Sequence, residues 1–224
     1  MSYFVTGTDT GVGKTLVSCA LLHALRVRGK RAVGMKPVAA GLDERGRNED
    51  VEALCAASSF RAANGQVNPY AFYPPAAPHI AARWAGAEIG LNRIVESYRE
   101  LAGQADSVIV EGAGGFCVPL NETEDTADLA VRLGLPVILV VGMRLGCLNH
   151  ALLTARAIEA SGLQCAGWVA NACTPDMLYL QENIDALRQR LAAPLLGVIE
   201  YQPTPDAERA SAQLDMSKLE KTDG

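Results

Sequence analysis

The sequence predicts an α/β fold, a doubly wound and mainly parallel sheet with helices on both faces. Two patterns carry that expectation. Short β-branched apolar runs alternate with longer segments of helical periodicity, as in sheets covered on both sides. The first of these runs also leads through a glycine-rich turn directly into a helix. A length of 224 residues, with 49% hydrophobic, 20% charged and 5% aromatic residues, suits one unit with a sizeable core. It excludes disordered, collagen-like and disulfide-dense chains. Residues 1–224 are therefore expected to form a single domain, weakly ordered after about residue 203, where the pattern turns polar.

The strand segments in order are YFVTG from Tyr3, RAVGMKPV from Arg31, SVIVEG from Ser107, PVILVVG from Pro136, CAGWVAN from Cys165 and PLLGVIE from Pro194. Helices are expected from Thr15 to Arg28, closed by Gly29, from Leu91 to Ala102, from Leu148 to Ala160, ended by Gly162, and from about Asp176 to Leu191. Parallel strands need crossover connections, which are right-handed in nearly all proteins, so this alternation leaves little topological freedom. Two stretches interrupt it: Ala39–Asn48, polar and glycine-containing, and Asn64–Pro78, which carries Pro69, Pro74, Pro75 and Pro78. Loops of that length commonly serve a site.

A formal net charge of −5 argues against nucleic acid as a partner, because neutralising phosphates takes a basic surface. The six cysteines, Cys19, Cys55, Cys117, Cys147, Cys165 and Cys173, are scattered and form no C-x-x-C pair, which disfavours a zinc or redox motif. Several lie in apolar runs and read as free thiols of a reducing compartment. The opening MSYFVTGTDTG lacks a basic segment followed by an apolar stretch, and the apolar run Leu133–Met143 is too short to cross a bilayer. A cytoplasmic location without membrane partners follows as the expectation.

The strongest local signal is Gly7-Thr8-Asp9-Thr10-Gly11-Val12-Gly13-Lys14-Thr15, set between the first strand and the first helix. Backbone N–H groups of such a loop point at phosphate oxygens, and the helix N-terminus adds partial positive charge. Lys14 would reach the β and γ phosphates, and the Thr15 hydroxyl would ligate Mg²⁺. Thr8 stands where the full motif has its first glycine. The context nevertheless makes the fold P-loop NTPase-like.

Further polar residues fall at strand ends, where a doubly wound sheet binds its ligand. Lys36, in Gly34-Met35-Lys36-Pro37, reads alone as a solvated lysine of a basic cluster with Arg26, Arg28, Lys30 and Arg31, or as converging with Lys14 on one anionic site, with Pro37 stiffening the exit. Glu111 ends an apolar strand and is followed by the permissive Gly112-Ala113-Gly114-Gly115. Asp50, beside Glu49 and Glu52, reads equally as an early-helix acid favoured by the dipole or as a ligand. The Asn171 amide can cap its strand or read a purine edge. The segment Leu145–His150 opens a helix whose first amides could bind a carboxylate, or be capped by Asn149.

GTDTGVGKT, KPVAAG, VEGAGG, PVILVVGMRLGCLNHALLT and AGWVANA, in this order and spacing, resemble the dethiobiotin synthetases over nearly the whole chain. The resemblance implies an ATP-dependent cyclo-ligase joining CO₂ to 7,8-diaminopelargonic acid, with ADP and phosphate released. It implies Lys36 and Lys14 as catalytic cations and Thr15, Asp50 and Glu111 as Mg²⁺ ligands. Nucleotide contacts carry over to Thr10, Gly11, Val12, Gly13, Lys14, Thr15, Leu16, Asp50, Glu111, Gly112, Ala113, Gly114, Asn171, Ala172, Glu200, Tyr201 and Gln202. Substrate contacts carry over to Lys36, Ala40, Gly146, Cys147, Leu148 and Asn149, the last four reaching the diamine across a homodimer interface. Three positions depart from the family: Ala40 where a hydroxyl residue is common, Gly11 where Glu is frequent, and Glu200 where proline is usual. The competing expectation is a P-loop ATPase switch of the partitioning type, whose loops carry an extra lysine where this chain has Asp9.

Overall fold

The structure is a computed structural model and describes residues 1–220. Its strands in chain order are β1 (Tyr3–Gly7), β2 (Ala32–Met35), β3 (Val38–Ala40), β4 (Tyr70–Phe72), β5 (Ser107–Glu111), β6 (Val137–Met143), β7 (Cys165–Ala172) and β8 (Leu195–Ile199). The helices are α1 (Lys14–Val27), α2 (Glu49–Ala57), α3 (Asn64–Val67), α4 (Pro78–Trp84), α5 (Leu91–Ala102), α6 (Thr126–Leu133), α7 (Cys147–Ala160), α8 (Leu180–Arg190), α9 (Ala207–Ser211) and α10 (Ser217–Glu220). Six strands form one parallel sheet in the order β2-β5-β1-β6-β7-β8. The chain leaves β1 toward β2 on one side and later fills the other side with β6, which puts a topological switch point at the carboxyl end of β1.

Side chains alternate between the faces of each strand, and the core divides accordingly. Tyr3, Val5, Ile109, Ile138 and Val140 pack with Val17, Leu21 and Leu25 of α1. Phe4, Val108 and Val110 meet Leu91, Ile94 and Leu101 of α5 on the opposite face. Leu139, Val141 and Trp168 join Ala151 of α7 and Ile184 and Leu187 of α8. The doubly wound architecture expected from the alternation is the one observed.

Some elements differ from the expected ones. The segment from Arg31 to Val38 is two strands in two sheets, because Pro37 has no N–H to continue a ladder. At this break Lys36 N–H donates to Val67 O at 2.8 Å, and Pro37 O accepts from Tyr70 N–H at 3.2 Å. The chain thereby passes from the main sheet into the small parallel pair β3–β4, which occupies part of both interrupting stretches. Helix α8 starts at Leu180, later than the expected Asp176, because Tyr179 sits at φ 57°, a left-handed value outside a right-handed helix.

The stretch after residue 203, expected to be weakly ordered, carries several buried side chains. Ala210, Met216 and Leu219 are buried against the α1 face of the sheet. Asp215 N–H donates to Leu196 O at 2.7 Å, and His23 Nδ1 lies 2.9 Å from Ser211 Oγ. Three apolar anchors spaced through a polar stretch produce no periodicity for sequence reasoning to detect. Residues 221–224, the rest of the expected weakly ordered tail, lie outside the described residues.

This segment crosses the last strand very closely. A Cβ added at Gly197 would lie 2.1 Å from Gln213 O. Gly197→Ala should therefore destabilise by about 1–3 kcal/mol, lowering Tm by roughly 2–10 °C in a scanning calorimeter. An unchanged Tm would show that the crossing yields at no cost.

Candidate active site

The phosphate loop is braced from inside the protein. Gly11 and Gly13 have φ of 73° and 88°, which side-chain-bearing residues rarely adopt. The fully buried Val12 fills the hollows left by Gly7 and Gly142, where an added Cβ would in each case meet it at 2.6 Å. Asn171, from the end of β7, donates its amide to Val12 O at 2.9 Å, and a Cβ on Gly13 would come within 2.2 Å of that nitrogen. The side-chain amide of Asn171, expected to read adenine, is engaged here in a bond that fixes the loop backbone. Asp9 accepts from Thr10 N–H at 2.7 Å and pairs with the Arg144 guanidinium, which together hold its carboxyl below the usual range.

Lys14 is buried at the start of α1, and its ammonium donates to Asp9 O at 2.9 Å. Burial, reinforced by the nearby charge of Lys36, lowers its pKa to about 8.

The densest electrostatic cluster lies beside this loop. Lys36 Nζ is 2.5 Å from Glu111 Oε1 and 3.0 Å from Asp50 Oδ2, with the Lys36 and Glu111 side chains only 6% and 0% exposed. Burial opposes the charge on Lys36, but the two carboxylates overcome it and raise its pKa above the ordinary value. Burial likewise opposes charge on Asp50, and Lys36 and Thr15 overcome it, leaving that pKa lowered. The main chain of Lys36 is also held, since Asn68 Nδ2 donates to its carbonyl at 2.6 Å. Asp50 is an acid in the first turn of α2, and there it pairs with Lys36.

Thr15 Oγ1 lies 2.7 Å from Asp50 Oδ1 and 3.0 Å from Glu111 Oε1, and its single proton can serve one of them at a time. Glu111 Oε2 is buried without a hydrogen-bond partner. A hydroxyl and two carboxylates, one of them with a spare buried oxygen, make a hard, all-oxygen donor set. That set fits Mg²⁺, which takes one or two carboxylates and completes its shell with phosphates and water.

Two cavities meet at this cluster. One, of about 470 Å³, is lined by Thr10, Gly11, Gly13, Lys14, Thr15, Leu16, Cys19, Lys36, Asp50, Glu111 and Gly114, with Pro205 and Ala207. The other, of about 590 Å³, is lined by Asp9, Thr10, Lys36, Ala40, Asn48, Asp50, Ala113, Gly114 and the Pro75–Pro78 turn. Thr10, Lys36, Asp50 and Gly114 belong to both walls.

Some expected site residues stand apart. Val12 packs in the core, Gly112 lies against Phe4, and Ala172 is buried at the end of β7. Glu200, Tyr201 and Gln202 follow β8 but line neither cavity, whereas Pro205 and Ala207, a few residues on, do. Gly146, Leu148 and Asn149 are at the open start of α7, outside both cavities, and Cys147 is buried beneath them. Asn48, Pro205 and Ala207 were not singled out from the sequence. Only the capping position of Asn48, one residue before an acidic first turn, offered a signal.

A family model described as an AAA domain matches residues 1–209. The ATP-dependent dethiobiotin synthetase BioD of Nitrosospira multiformis is 58% identical over 217 residues, covering 97% of this chain and 96% of the relative. That of Aromatoleum aromaticum is 55% identical over 216 residues, covering 95% and 96%. Among solved structures, the septum site-determining protein MinD from Pyrococcus horikoshii, complexed with Mg-ADP, superposes with a TM-score of 0.57 at 18% identity, covering 100% of this chain and 96% of that one. The cell division ATPase MinD of Pyrococcus furiosus gives 0.56 at 17% identity, covering 99% and 100%. At those identities the MinD likeness is one of fold, that of the P-loop NTPases. Matched along almost its whole length, the chain belongs to the AAA-domain family and to the ATP-dependent dethiobiotin synthetases.

Proposed function

We propose that this protein uses ATP to insert CO₂ between the two amines of 7,8-diaminopelargonic acid, closing the cyclic urea of dethiobiotin. The observation that carries the reading is Lys36, a buried ammonium on the wall shared by the two cavities. The cavity containing the phosphate loop would take ATP and the other the diamine. A transferring phosphoryl group and its acceptor would then meet at Lys36.

The chemistry runs in three steps. One amine adds to CO₂ and loses a proton, giving a carbamate. A carbamate oxygen attacks the γ-phosphorus and ADP departs, leaving a carbamic-phosphoric anhydride. The second amine then attacks the carbonyl carbon, and phosphate leaves as the ring closes. Two anions must approach in the middle step, and Lys36 on the carbamate and Lys14 on the phosphates offset that repulsion. Holding both amines in one bound molecule supplies the proximity that favours ring closure. Thr15, Asp50 and Glu111 would hold Mg²⁺, which when bound adds positive charge at the phosphates.

The remaining assignments belong to the same proposal. Asn171 and Ala172 at the end of β7, with Glu200–Gln202 after β8, would contact the nucleotide. The exposed amides of Gly146–Asn149 would bind the diamine of a partner protomer in a homodimer. A cytoplasmic setting suits the six unpaired thiols, and no helix among the described residues is long and apolar enough to cross a membrane.

The direct test supplies ATP, Mg²⁺, bicarbonate and the diamine, follows ADP by a coupled assay and identifies the product by mass. Diamine-dependent ADP release with a product heavier by one CO₂ less one water supports the synthetase. ATP hydrolysis indifferent to the diamine, without that product, would support a partitioning-type switch instead. Lys36→Met should lower kcat by about 10²–10³-fold while ATP still binds. Loss of ATP binding in that variant would move Lys36 out of the acceptor's side of the reaction.

Lys14 gives a pH signature. With its pKa near 8, below the ordinary 10.5, the ammonium is mostly charged at pH 6.5 and increasingly neutral above pH 8. A bound triphosphate favours the charged form, so ATP binding should take up a proton at pH 8.5 and almost none at pH 6.5. Titration calorimetry in buffers of different ionisation enthalpy measures this, and equal uptake at both values would contradict the assignment.

A further inference from the structure

Asn48 lies between the end of β3 and the start of α2, half-buried on the wall of the diamine-side cavity. Its Oδ1 accepts Val51 N–H at 3.3 Å and so caps α2, a task that Asp or Ser performs equally well. Its Nδ2 does more, donating to Gly41 O at 3.2 Å and reaching Ala40 O at 3.4 Å. The residues between these anchors form a closed turn. Asp43 N–H donates to Arg47 O at 2.8 Å, and Asp43 Oδ1 accepts the N–H groups of Arg45 at 2.9 Å and Arg47 at 2.8 Å.

The Asn48 amide thereby completes a ring through the active site. From Lys36 the chain runs through Pro37 and β3 to Ala40 and Gly41, crosses the Asn48 side chain, and enters α2. It returns through Asp50, whose carboxylate is 3.0 Å from Lys36 Nζ. Without the amide link, Asp50 would be joined to the Ala40 wall only around the turn and through its ion pair with Lys36.

We propose that Asn48 is a positioning residue: its side-chain NH₂ sets Asp50 in register with Lys36, Thr15 and the diamine-side wall at Ala40. This rests on the synthetase reading above. The consequence is that the requirement for Mg²⁺ and the affinity for the diamine depend together on one side-chain amide that touches neither reacting group.

The test uses Asn48→Asp and Asn48→Ser in the full chain. Both keep an acceptor for Val51 N–H; Asp lacks the donor, and Ser is too short to reach Gly41 and Ala40. Three quantities are measured: Tm without ligands, the Mg²⁺ concentration for half-maximal binding of a non-hydrolysable ATP analogue by calorimetry, and KM for the diamine against kcat. Both variants are expected to melt within about 2 °C of the native protein while needing roughly tenfold more Mg²⁺ and showing a diamine KM raised by a similar factor. A native Mg²⁺ requirement and KM in either variant would reduce Asn48 to a helix cap and overturn the proposal, whether or not Tm falls. If the native protein makes no cyclic urea, the synthetase reading fails by itself, and the Mg²⁺ titration, which needs no diamine, still decides the role of Asn48.

Discussion

An ammonium taken out of water must be paired, and Lys36 is almost completely buried. Its partners come from distant parts of the chain, Glu111 at the end of β5 and Asp50 in the first turn of α2. Removing either carboxylate would leave buried charge without compensation, so β2, β5 and α2 are held at the cluster by electrostatics as well as packing. Thr15 brings α1 to the same point. The two cavities meet there, with Lys36 and Asp50 on the walls of both.

The phosphate loop depends on a second constraint, close approach. Val12 is inserted where Gly7 and Gly142 have no side chains, and Asn171 holds the carbonyl of Val12. Three strands, β1, β6 and β7, thus shape a loop that belongs in sequence to the first alone. Such bracing leaves its backbone N–H groups prearranged for anions.

Much of this architecture is legible in the chain. The six strands of the main sheet each contain a β-branched or aliphatic run, and Gly13-Lys14-Thr15, Lys36 and Glu111 all fall at strand or helix ends, where position itself signals a role. What stayed hidden shares one cause, dependence on contacts distant in sequence. The bond from Asn171 to Val12 could not be read from the sequence, because nothing local links the two residues. The packing of the residues after Pro203 gave no local signal, because Ala210, Met216 and Leu219 find their partners on α1 and the sheet. The split at Pro37 was readable as a stiff exit, but β4, which receives the new strand, is only Tyr70–Phe72 and too short to announce itself.

The strand order has a consequence for how the molecule is assembled. β1, which feeds the phosphate loop, pairs only with β5 and β6, so it has no neighbour until residues from Ser107 onward are available. Part of the lining of the cavity beside that loop comes later still, from Pro205 and Ala207. During synthesis the most recognisable motif therefore emerges first and becomes a site last. A growing chain carries the phosphate loop without the enclosure that would retain a nucleotide, and folding dominated by such long-range pairings is expected to be slow.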